Sequence, residues 1–254
     1  MSIIGELPTV SAEQVIVVGE AKPEEDVLQL AAKAANVQIE RLAPGVEKYL
    51  EFLRTGSDAP EESAAGTTEA AAVARIGDAV SPICPLYVPF DVVAIGPIQT
   101  FGSPPGQAIP PHKVIGHTEN ALILAVVFVN PLSSAACGYF MPPTTQLSGR
   151  DFRVRLEQVN LSTVANGPDD TFTGTFTGLP LTLAPFLISG ADPGPNPNLF
   201  EANITVDIDD PQQPFAAFAT NVLDLDNDPA FAGIPAQPAG FKHRIPIRYL
   251  VYRK

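Results

Sequence analysis

Charge, tryptophan, cysteine and histidine are all scarce in this chain, and each shortage closes a route to function. Charged residues make up 17% of the 254, against about 25% in an ordinary globular protein. The surface must therefore be covered by Thr, Ser, Asn, Gln, Pro and backbone groups more than by Lys and Glu. Fifteen basic residues face 28 acidic ones, and the net charge of −13 repels a phosphate backbone at long range. No compact Lys/Arg cluster opposes that field, so nucleic acid is not expected as a partner. The absence of Trp removes the best aromatic platform for a sugar and leaves Tyr87, Tyr139, Tyr249 and Tyr252 to serve.

The two cysteines, Cys84 and Cys137, are far apart and outside any C-x-x-C spacing. Two buried thiols are expected; a disulfide closing the long loop between them is the alternative, and it requires an oxidising compartment. Three histidines are the whole supply. His112 and His117, followed by Glu119, lack the H-x-H or H-E-x-x-H spacing that sets ligands on one face, and His243 lies between Lys242 and Arg244. All three read as surface or structural residues. Neither phosphate-cradling glycine motif occurs, nor does a G-x-S-x-G elbow. No apolar run reaches the ~20 residues of a transmembrane helix. The N-terminus has no sustained apolar stretch and its first Lys is Lys22, so classical secretion is not expected. The expected location is the cytoplasm, or an assembled particle that leaves the cell.

What the chain does have is proline and short apolar runs. Its 27 Pro residues are about twice the usual share of about 5%, and they fall mostly between the apolar runs, as stiff loops joining strands require. The most continuous run is 121–130, Ala-Leu-Ile-Leu-Ala-Val-Val-Phe-Val-Asn, ended by Pro131. Its Val, Ile and Phe favour an extended backbone, and with no polar position before Asn130 it reads as a strand buried on both faces. A buried helix is the competing reading, because periodicity alone cannot separate the two in so short a run. Residues 152–156, Phe-Arg-Val-Arg-Leu, alternate strictly, with Phe152, Val154 and Leu156 inward. Residues 171–178 write Thr-Phe-Thr-Gly twice, with threonines on one face and Phe172 and Phe176 on the other. Residues 179–188 and 203–208 add further strands, and Pro246 makes the closing strand an expected edge. Pro85 and Pro89 likewise point to edge strands or a bulge in 83–95.

Before residue 57 the pattern is helical. Val27, Leu28, Leu30, Ala31, Ala34 and Ala35 form one stripe behind Pro23 and three acidic residues, and Val46, Tyr49, Leu50 and Leu53 form a second behind Pro44. The expected organisation is an N-terminal arm with a helical hairpin over 1–56, a Ser/Ala/Gly/Glu linker over 57–79, and a β-sandwich domain over 80–254. The fold class is mainly β, an antiparallel sandwich or jelly roll preceded by a short helical segment.

Among candidate sites, Asp224, Asp226 and Asp228 carry the D-x-D-x-D spacing that lets alternate carboxylates meet a calcium ion, with Asp207, Asp209 or Asp210 as further donors. Pro229 and Pro235 stand where an EF-hand needs Gly and Glu, so a solvated acidic turn competes with a calcium loop of another kind. Asn160-Leu-Ser162 and Asn203-Ile-Thr205 match the N-glycosylation pattern but fall in expected strands, and are read as chance. The first functional expectation is a non-enzymatic structural subunit of a virus-like particle, phage or surface filament, self-associating as a homo-oligomer. The second is a calcium-assisted module that binds carbohydrate or another surface ligand. An enzyme of unknown class is the third, since no catalytic residue set assembles from the sequence.

Overall fold

The computed structural model describes residues 3–19, 22–55, 87–99, 113–190, 192–208, 216–219, 222–223 and 246–253. Strands β1 (Ile16–Val18), β2 (Phe90–Gln99), β4 (Asn120–Val129), β8 (Leu181–Ser189) and β11 (Val222–Leu223) form one sheet in the order β1-β8-β4-β2-β11. The second sheet runs β3 (Val114–Gly116), β12 (Ile247–Tyr252), β9 (Asn198–Ile208), β5 (Asp151–Asn160), β6 (Ala165–Asn166). Two further strands join it, β10 (Ala216–Phe218) beside β9 and β7 (Asp170–Thr175) beside β5. The two sheets face each other as a mainly β sandwich.

The apolar run of 121–130 becomes β4, and it lies between β2 and β8 with antiparallel partners on both sides. Successive side chains on a strand point to opposite faces. Accordingly Ala121, Ile123, Ala125, Val127 and Val129 pack toward the second sheet, against Phe152, Val154, Leu156, Ile204 and Val206. Leu122, Leu124, Val126 and Phe128 pack the other way, into a second core. A strand with no polar face must be covered twice, and the second cover is helical.

That cover is α1 (Glu25–Thr55), one helix of 31 residues. The two helices expected from 23–36 and 44–54 are therefore a single one, with Pro44 inside it. A proline removes one backbone donor and crowds the preceding turn, at about 3 kcal/mol in a helix interior. Here Pro44 points to solvent, and the buried stripe Ile39, Leu42, Val46, Tyr49, Leu50, Leu53 keeps helical phase across it. Packing on the sheet outweighs the local break. Ala31, Ala34 and Ala35 are fully covered, and their small size lets the helix lie close to what it packs on. Residues 3–15 in turn lie on α1, held where the Val10 amide donates to Asn36 Oδ1 at 2.8 Å and Asn36 Nδ2 donates back to the Val10 carbonyl at 3.0 Å. The linker expected at 57–79 lies outside the described residues.

Three details depart from a purely antiparallel reading. Strands β1, β3 and β11 are parallel to β8, β12 and β2. The closing strand β12 is not an edge: it lies between β3 and β9, because Pro246 precedes the strand and leaves its amides free to pair. β2 has the expected irregularity, but at Gly96 and Pro97, where its register against β4 shifts. Gly96 has φ of 125° and a Cβ there would meet the Leu122 carbonyl oxygen at 2.6 Å, so only glycine fits.

Double burial of β4 predicts equal sensitivity on its two faces. Ile123→Ala and Leu124→Ala should each cost roughly 2–5 kcal/mol in a urea melt. A loss under about 1 kcal/mol at either one would mean that face is not packed.

Candidate functional site

The open side of the sandwich is where β7 and β8 come to the surface. β7 follows the turn at Asn166-Gly-Pro-Asp-Asp170 and pairs antiparallel with β5 from Asp151↔Thr175 to Leu156↔Asp170. β7 and β6 share one edge of β5, and β9 occupies the other. Among the described residues nothing pairs with the outer edge of β7. Its alternation turns Thr171, Thr173 and Thr175 to solvent and half-buries Phe172, whose ring lies 6.1 Å from Phe152.

Across from it, β1 pairs only with Phe186, Leu187 and Ile188 of β8. Going back from Ile16, the chain turns off the sheet in a 3-10 turn over Ala12–Gln14, where the Ser11 amide donates to Gln14 Oε1 at 2.9 Å. The chain then crosses to α1. Residues 181–185 of β8 are thus left without a described partner on that side. The result is a cleft of about 570 Å³ with the N-terminal segment on one wall, β7 on the other and the start of β8 at its floor. Six threonines line it, with Glu13 the one charged side chain and the half-buried Phe172 supplying apolar surface, while Leu181 and Leu183 turn away into the core under α1. Hydroxyls beside an aromatic ring suit an extended peptide or a polyhydroxylated ligand.

The outer face of the second sheet next to β7 is polar. Arg153 donates to Asp207 at 2.6 and 3.3 Å, Arg155 lies 4.0 Å from the same carboxylate, and Arg248 pairs with Glu201 at 3.0 Å. Asp207 is therefore held by two arginines.

The residues singled out from sequence do not converge. Asp224, Asp226, Asp228, Asp209, Asp210, His112 and His243 lie outside the described residues. His117 sits in a turn between β3 and β4, its amide donating to the Tyr252 carbonyl at 2.7 Å. Glu119 accepts from the Gly116 amide at 2.7 Å and from Gln99 Nε2 at 2.9 Å, which ties down that turn. Among the described residues no three His, Cys, Asp or Glu side chains are grouped as metal ligands. Cys137 is disulfide-bonded rather than a free thiol; Cys84, the chain's other cysteine, lies outside the described residues.

The tyrosines do not form a platform. Tyr87 is buried, donates to the Leu132 carbonyl at 2.6 Å and packs in a tilted arrangement against Tyr139, ring centroids 5.1 Å apart. Tyr249 is buried against Phe200 at 5.3 Å with its hydroxyl on Gln158. Tyr139 and Tyr252 are half-buried.

One carboxylate sits where a charge is costly. Asp91 lines an apolar pocket between α1 and the first sheet with Leu42, Val46, Tyr49 and Phe128. Burial raises its pKa, opposed by the hydrogen bond it accepts from the Val92 amide at 2.8 Å. The Tyr49 hydroxyl, which accepts from the Val88 amide at 2.9 Å, is pushed up to about 12 by burial and the neighbouring Asp91 charge.

No family model and no curated protein sequence match the chain. Among solved structures it is similar to the CARDB domain of the PF1109 protein from Pyrococcus furiosus, crystallised in complex with di-metal ions. The identity is 11% and the TM-score 0.26, over 56% of this chain and 94% of that one. The two-sheet architecture is read from this chain's own strand pairing, and the metal ions belong to that domain.

Asp91→Asn should stabilise the protein at neutral pH. A carboxyl whose pKa is higher folded than unfolded binds more protons in the native state, so stability falls as pH rises through that window. Thermal melts should show the variant above the parent at pH 7 and level with it below pH of about 4, the ordinary aspartate value. A variant less stable at pH 7 would mean that the charge is used.

Proposed function

We propose that this chain is a non-enzymatic structural subunit that associates with copies of itself, as a component of a virus-like particle, phage or surface filament. The observation that supports it is the open sandwich edge: a cleft bounded by β7 and by the start of β8, neither of which has a described strand partner on that side. Exposed strand edges carry rows of backbone donors and acceptors that another strand satisfies, and natural monomers blunt them. Around the edge, the outer face of the second sheet carries the ion pairs Arg153–Asp207 and Arg248–Glu201, which a neighbour can cover as pairs. Assembly by strand addition draws its affinity from main-chain hydrogen bonds and its specificity from alternate side chains.

A second reading has its own observation. Six threonine hydroxyls and Gln14 beside Phe172 in the same cleft would suit a carbohydrate, and, separately, the spacing of Asp224, Asp226 and Asp228 would suit calcium. Calcium that binds only the folded chain raises its melting temperature; no shift at millimolar calcium removes the metal from this reading.

Size-exclusion chromatography with light scattering separates the two. The assembly reading predicts a mass that is a multiple of the 26.8 kDa chain and that persists on dilution to micromolar concentration. A single-chain mass at every concentration tried contradicts it.

A further inference from the structure

Resting on the assembly reading, we infer that two copies join through β7, which pairs antiparallel with β7 of the second copy about a two-fold axis at Thr173. The edges of these sheets are not alike. β1 and β3 have three residues, and β6 and β11 two, too short to template another chain. β7 has six, and from Thr171 to Thr175 it carries none of the devices that guard an edge: no Lys, no Pro, no charge and no bulge against β5. Among the described residues no strand pairs with its outer edge, where a second strand would lie at the usual spacing of about 4.8 Å.

The strand's own sequence selects the partner. With net charge −13, two copies repel at long range, so the contact must form where charge is absent, and 171–175 is such a place. Antiparallel pairing centred on Thr173 sets Thr171 opposite Thr175, Phe172 opposite Gly174 and Asp170 opposite Phe176. Each residue meets one of the same parity, so the threonines of both copies stay on the outer face and both Phe172 rings stay on the inner one. Cross-strand Thr–Thr pairs are favourable. Each Phe172 ring comes opposite Gly174 of the other copy, which has no side chain of its own and is covered by Phe152 and Phe172, so the incoming ring meets that aromatic pair. The two Asp170 carboxylates fall at opposite ends of the pairing. Shifting the register by one residue would put Phe172 against a threonine and turn it to the solvent face. The product is a sheet continuous across both copies, a closed dimer that uses the same patch twice.

Three full-chain variants read by light scattering test this. Thr173→Glu lies beside Arg153 in its own chain but meets its own copy at the axis, and should reduce a two-chain mass to one. Thr171→Glu with Thr175→Lys sets opposite charges across the axis, and beside Arg155 and Asp151 within the chain, and should keep the two-chain mass. Thr173→Cys should give a covalent dimer on mild oxidation that the parent does not, because paired strands hold opposite Cα atoms about 4.5–5.5 Å apart, within disulfide reach. An assembly that ignores Thr173→Glu and gives no cross-link overturns this contact and leaves the assembly reading in place. A parent that is a single chain throughout overturns both. Loss of the dimer in the charge-paired variant, with a parental far-ultraviolet spectrum, overturns the register.

Discussion

The constraint from which the architecture follows is that β4 has no side fit for water. Seven of its side chains from Leu122 to Val129 are large and apolar, and all of 121–129 are no more than 7% exposed. Burying one such side chain is worth roughly 1.5–3 kcal/mol. A single opposing sheet would bury half of them, and the remainder would form an exposed stripe. The helix is thus a requirement of the strand, and its alanines and its unbroken run through Pro44 follow from that role. Two well-buried side chains offset the cost of about 3 kcal/mol for an internal proline.

Covering β4 twice has a consequence at the margins. β2 and β8 flank it and share its burial, so polar contacts are displaced to the second sheet, where arginines and carboxylates pair on the outer face. The N-terminal segment is drawn onto α1 by the Val10–Asn36 hydrogen bonds and so leaves β8 half covered. The cleft, the half-covered β8 and the bare edge of β7 all lie where the chain was committed to the helix instead of the sheet. Interior demands and the open edge are linked through that one diversion.

Much of this was legible in the order of residues. The period of two in Phe152-Arg-Val-Arg-Leu156 and the lack of any period in 121–130 named a half-solvated strand and a doubly buried one, and both stand in those roles. Pro44 misled because a proline behind an apolar stripe is a local signal for a helix start, whereas the stripe that carries α1 through it is fixed by a sheet distant in sequence. The parallel pairings of β1, β3 and β11 have no local signature, since two or three residues encode no partner. Tyr87 and Tyr249 looked available for a ligand and are spent in cores and on Leu132 and Gln158. The cleft brings 8–16 against 171–183, a meeting that no spacing along the chain encodes; the doubled Thr-Phe-Thr-Gly was its one visible trace.

Native-state hydrogen exchange along β4 tests the central claim most directly. If this strand is covered on both faces, its amides from Leu122 to Val129 should exchange only through global unfolding, with free energies equal to the whole protein's stability and unchanged from one residue to the next. Exchange of that strand at the rates of β1 or β7, well below the global value, would show that one of its faces opens on its own, and would contradict the three-layer account.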